Sequence, residues 1–264
     1  MFDWNRIRIQ VNPRVDRFFS PAFVSEFLGT FFLVLTVCLN VFNNASDEVL
    51  KKTLRPLSIG MILMVMIFAT GGISGAHFNP AVTVAIHLTH PETISLKRAA
   101  RYVASQTIGG LCGALLGASI MSNTETLTPG DNRTAFDAMS AEVFFAMALC
   151  FVVLNVATTK QDTNNHYYGV AIGFTVAAAA YAIGPVSGCA LNPAVSFGVM
   201  MTHFIWTGKG LSYLVVYLGT PMIGAFFASS LFKIIRKAEL SLSSSPYIEV
   251  TEESKAIPTT KSTN

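Results

Sequence analysis

The chain has 264 residues, 52% of them hydrophobic and only 12% charged, with a mean hydropathy of +0.50. That charge content is about half of what a soluble globular domain carries, which excludes an ordinary soluble domain. The net charge of +3 is small and sits mostly in tails and loops, so no nucleic-acid partner is implied.

The first stretch, Met1 to Arg17, is polar and carries Arg6, Arg8, Arg14 and Arg17. It does not have the pattern of a cleavable signal peptide. Six apolar segments follow: Ala22–Phe42, Pro56–Gly72, Arg98–Met121, Ala138–Thr158, Tyr167–Pro185 and Leu211–Ile235. Each is near the roughly 20 residues needed to cross a hydrocarbon core of about 30 Å. The last part, Ala238 to Asn264, is rich in Ser and Thr and poor in large apolar residues, and is expected to be a disordered tail.

Lys and Arg near the spans predict the orientation. With a cytoplasmic N-terminus, eleven basic residues fall inside (Arg6 through Lys237) and five outside (Lys51, Lys52, Arg55, Arg133 and Lys209). Both termini are therefore expected in the cytoplasm. Two sequons, Asn44-Ala-Ser46 and Asn132-Arg-Thr134, then fall outside as candidate glycosylation sites.

The sequence repeats itself. Ile73-Ser-Gly-Ala-His-Phe-Asn-Pro-Ala-Val-Thr83 matches Val186-Ser-Gly-Cys-Ala-Leu-Asn-Pro-Ala-Val-Ser196. Ile59-Gly60 and Ile172-Gly173 precede the two Asn residues at equal distances, and Glu26 and Glu142 open the first span of each half. Three spans per half is an odd number, so the second half enters the membrane from the opposite side as an inverted repeat.

In each motif Asn79 or Asn192 suits an N-cap and Pro80 or Pro193 the first helical position, with Ala81 or Ala194 next. The apolar run that follows is about seven to ten residues, too short to span, and predicts a re-entrant half-helix. Two such helices meet at the midplane by their positive dipole ends, which raises the energy of a cation there. An Asn oxygen spent on capping leaves its amide N–H₂ as a donor to the lumen. A water held by both Asn donors cannot easily relay a proton along a file. The irregular backbone before each Asn is tolerated at membrane depth only if it lines a cavity or is buried in protein.

The order of Glu26, the first Asn-Pro-Ala, Gln106, Glu142, the second Asn-Pro-Ala and Pro221 resembles the aquaporin (major intrinsic protein) family over about residues 20–236. The resemblance implies an all-α membrane protein: a right-handed bundle of six transmembrane helices plus two re-entrant half-helices. It further implies a homotetramer with one pore per protomer, and passive flow of water or small neutral solutes through a lipid membrane. On that basis residues 21–237 form the channel domain (repeats at about 21–121 and 138–237), between an N-terminal segment 1–20 and the tail 238–264.

Glu26 and Glu142, one per repeat, are expected to brace the pore loops rather than relay protons, since no intramembrane Lys or Arg stands ready as a partner. His77, two residues before Asn79, is expected in the same loop. Gly109, Gly113 and Gly117 make a small-residue packing face. By the resemblance, a constriction on the outer side is lined by Ile59, Ala180, Cys189 and Val195. Many family members carry Arg at the last of these positions, so Val195 implies a wider and more apolar opening. Cys189 there implies sensitivity to mercurials. The Arg-free second motif resembles vacuolar (tonoplast intrinsic) aquaporins, associated with water, urea, ammonia, glycerol and peroxide. Ser196 departs from glycerol facilitators, which usually carry Asp.

No nucleophile–base pair, metal-ligand spacing or phosphate loop appears, so neither an enzyme nor a cofactor or metal is expected. A non-conducting membrane scaffold and a coupled secondary transporter are the alternatives. The host membrane is left open between plasma membrane and vacuolar or other intracellular membranes.

Overall fold

The computed structural model describes residues 20–43, 53–159 and 166–237. The sequon at Asn44, the tail 238–264 and the N-terminal segment before Ser20 lie outside them. Among the described residues are eight helices: α1 (Pro21–Val41), α2 (Arg55–Ser74), α3 (Pro80–Thr89), α4 (Leu96–Met121), α5 (Ala135–Ala157), α6 (Tyr168–Ser187), α7 (Pro193–Thr207) and α8 (Leu214–Ile235). All but α3 and α7 are long and apolar enough to cross a membrane.

The spans begin and end near the expected residues, and local chemistry explains the shifts. Helix α5 starts at Ala135, three residues before the expected Ala138, because Thr134 and Asp137 form a reciprocal capping box. Helix α6 runs two residues past Pro185 to Ser187 and is closed by Gly188 in the left-handed conformation. Helix α7 is longer than the expected seven to ten residues. Its helix continues past Ser196, Thr202 and His203 to Thr207, where left-handed Gly208 caps it. At 15 residues it is about 22 Å long, still short of a span.

The two halves pack alike. A β-carbon added at Gly60 would lie 2.5 Å from the Gly173 carbonyl oxygen, and one at Gly173 equally close to that of Gly60. Helices α2 and α6 thus cross backbone to backbone at matching points of the repeat. The α1–α4 contact at Gly109 and the α5–α8 contact at Gly224 likewise close on the carbonyl oxygens of Phe27 and Val143. Outward faces carry exposed Phe68, Phe144, Phe174, Val215 and Phe226, the surface expected of helices bathed in lipid.

Candidate functional site: a pore between two half-helices

Helices α3 and α7 begin alike. Asn79 Oδ1 accepts from Ala81 N at 2.8 Å and Asn192 Oδ1 from Ala194 N at 2.9 Å, with Pro at each first helical position. The amide groups then cross between halves. Asn79 Nδ2 donates to Leu191 O and Asn192 Nδ2 to Phe78 O, both at 2.9 Å. This refines the expectation of a wholly free amide. An amide has two N–H donors, and one from each Asn is spent joining the half-helix tips. The second is left on residues that both line the same cavity.

The loops that deliver these residues are strained in matching places. Ala76 and Phe78 in the first, and Cys189 and Leu191 in the second, have φ between 49° and 54°. Such left-handed non-glycine residues cost of order 1–3 kcal/mol each and persist only where surroundings hold them. The holding groups are the two buried glutamates. Glu26 accepts from Ser74 Oγ (2.7 Å), His77 N (3.0 Å), Phe78 N (2.8 Å) and Gln106 Nε2 (2.7 Å). Glu142 accepts from Ser187 Oγ (2.7 Å), Ala190 N (2.9 Å) and Leu191 N (2.7 Å). A carboxylate offers about four lone-pair sites, so Glu26 is saturated and Glu142 nearly so. The His77 ring adds a link from loop to half-helix, with Nδ1 3.1 Å from Thr83 Oγ1.

Residue reasoning missed two further pairs. Tyr102 and Tyr217 donate their hydroxyls to Ser74 O (2.8 Å) and Ser187 O (2.7 Å), tying α4 and α8 to the ends of α2 and α6. The serines stand inside the repeated motif, and the tyrosines each precede Gln106 or Pro221 by four residues. That repeat spacing was the available signal.

A cavity of about 630 Å³ runs from the Asn pair to the end of the bundle carrying Val41, Arg55 and Leu127. Ile59, Ala180, Cys189 and Val195 all line it, beside Asn79 and Asn192. Most of the remaining wall is aliphatic, including Leu33, Val37, Leu149, Val176 and Val199; its charged residues are Arg55 and Glu125. Arg55 Nη2 donates to Asn43 O at 2.6 Å. His90 is buried, with Nε2 3.2 Å from Thr158 Oγ1 and Nδ1 3.2 Å from Glu92 Oε1.

Two inverted halves around a lined cavity, with six helices of membrane-crossing length, define a multi-pass membrane channel. The chain belongs to the major intrinsic protein family, which it matches over residues 15–232. It is 32% identical over 232 residues to nodulin-26 of Glycine max, covering 85% of this chain and 81% of that protein. It is 31% identical over 253 residues to aquaporin NIP1-1 of Arabidopsis thaliana, covering 92% and 81%. Its fold is similar to the X-ray structure of the aquaglyceroporin from Plasmodium falciparum, with a TM-score of 0.72, 22% identity, and coverage of 84% of this chain and 98% of that one.

These relatives correct one expectation. They are of the nodulin-26-like type, so the resemblance to vacuolar aquaporins does not hold. That resemblance rested on Val195 and its neighbours in one motif, whereas the matches extend over most of the chain.

Proposed function

We propose that this chain is a passive pore for water and small neutral solutes such as glycerol, urea, ammonia and peroxide, and that it excludes protons and ions. The observation that carries this reading is the pair Asn79 and Asn192. Each caps a half-helix, bonds to the other half, and keeps one amide N–H on the wall of a shared cavity. Two helix N-termini, each worth roughly half a positive charge, converge there and oppose cations. Two amide donors that converge on one water orient it so that it cannot pass a proton along. The wall formed by Ile59, Ala180, Cys189 and Val195 is the selectivity constriction. With no guanidinium, it selects neutral solutes by size more than by hydrogen bonding.

The proposal includes a homotetramer in a plasma or intracellular membrane, with both termini cytoplasmic and the cavity opening outward. On that orientation exposed Asn132 faces outside, where it is open to glycosylation. The channel domain is 21–237. Glu26, Glu142 and His77 brace the loops. A proton relay would require each carboxyl to let go of the backbone N–H groups that hold a strained loop, which favours the channel over a coupled transporter. Stopped-flow light scattering on proteoliposomes tests the proposal. Fast water flow with a low activation energy, together with glycerol and urea flux, is expected; no flow of any of them would leave a scaffold.

A further inference from the structure

The four constriction residues come from α2, α6, α7 and the loop before α7. Four more residues, Glu125 to Thr128, reach the same cavity from a segment outside the repeat, and Leu127 is the apolar one among them. The connection between α4 and α5, residues 122–134, is pinned around the rim at four points. Asn123 Nδ2 donates to Phe42 O at 2.9 Å, and Thr124 Oγ1 lies 3.1 Å from His203 Nδ1. Thr126 Oγ1 donates to Gly210 O at 2.9 Å, and Gly130 N to Val186 O at 2.9 Å. The anchors thus belong to the cap of α1, α7, the α7–α8 connection and α6. Gly130 fits only because a β-carbon there would run into the Pro185 carbonyl.

Between these anchors Leu127 turns inward. It lines the cavity, and its Cδ2 would lie 2.9 Å from a β-carbon placed on Gly188, the residue before Cys189. It also packs against two apolar clusters at once, one containing Val195 and Val199, the other Ala190, Met200 and Tyr217. We infer that Leu127 is a specificity-determining residue, a fifth lining side chain of the outer constriction on the side of Cys189 and Val195. This rests on the proposed channel function. Leu has neither donor nor acceptor, so it acts by volume and by stripping water from a passing solute without replacing its hydrogen bonds.

The test uses the full chain in proteoliposomes, with water and glycerol flux measured for the parent, Leu127→Ala and Leu127→Phe. The glycerol-to-water ratio is expected to rise about threefold in the first variant and fall about threefold in the second. Loop misfolding would not move the ratio in opposite directions. An unchanged ratio in both, or a fall in both, overturns the inference while leaving the channel function standing. A second readout does not depend on flow. In a Leu127→Cys variant, a short bifunctional thiol reagent is expected to join the new thiol to Cys189 within one chain. Labelling of each thiol without a bridge places Leu127 away from the constriction and overturns the inference. A bridge in the Leu127→Cys variant, beside a parent that conducts neither water nor glycerol, overturns the channel reading, and the inference falls with it.

Discussion

Asn79 and Asn192 each donate a side-chain N–H to the carbonyl of the residue before the other, Leu191 and Phe78, both at 2.9 Å. The half-helix tips are thereby cross-linked by a reciprocal pair of buried hydrogen bonds. Replacing Asn192 by Asp keeps an oxygen for the cap but turns the donor to Phe78 into a second acceptor. An unmet buried group costs about 1–3 kcal/mol. Asn192→Asp should therefore lower the thermal midpoint, and Asn79→Asp should lower it by as much, since the geometry is mirrored. Midpoints measured in detergent for both variants check this, and a large difference between them would show that the two bonds are not equivalent.

The bracing carboxyls are not equivalent. Glu26 gains a side-chain donor from Gln106, while the corresponding place on α8 is Pro221, which has none. Glu26→Gln should therefore destabilise more than Glu142→Gln, by roughly one hydrogen bond to a charged group, about 1.5–3 kcal/mol. Comparing the two midpoints decides the point; the opposite order would contradict it.

Val195 stands on the cavity wall, 6% exposed. Val195→Arg places a bulky fixed cation there and should cut glycerol and urea flux about tenfold or more while reducing water less. Paired solute and water measurements check this. Equal loss of both would show plain blockage.

Cys189 is partly exposed on the same wall, whereas Cys38 and Cys150 are buried. External mercurial should block flux through the parent, and Cys189→Ser should be resistant. A block of equal strength in both would assign the reactive thiol elsewhere.

The α2–α6 crossing leaves no room at Gly60, where an added methyl would meet the Gly173 carbonyl at 2.5 Å and Ala177 Cβ at 2.8 Å. Gly60→Ala should destabilise by about 1–3 kcal/mol through overpacking. At Gly219 an added methyl meets nothing within 4 Å, so Gly219→Ala serves as a control expected to lose no stability. Thermal denaturation of the two variants distinguishes them.

Much of this architecture was legible because duplication wrote it twice. The paired motifs, Glu26 with Glu142, and Gly60 with Gly173 announce inverted halves before any coordinate is known. The hydropathy of the spans placed the helices to within a few residues. Features that depend on contacts between distant segments were not seen, and the twinned Tyr102 and Tyr217 were missed although their spacing repeats. The end of α7 depends on left-handed Gly208, because no proline after Pro193 stops the helix sooner and the polar pair Thr202-His203 does not end it. The inward fold of residues 122–134 has no period or twin, and it is set by scattered polar anchors from four other segments. The second bond of each Asn amide required two chain segments, 112 or more residues apart, to meet. The resemblance to vacuolar aquaporins failed because it was read from one short motif, whereas the relatives match over most of the chain.

The central claim, a neutral-solute pore closed to charge, is tested most directly by measuring water, urea and proton flux in the same proteoliposomes. The account predicts rapid water and measurable urea flow, with proton flux at the level of protein-free liposomes. Proton flux that rises with protein content, or urea flow that requires an ion gradient, would contradict it.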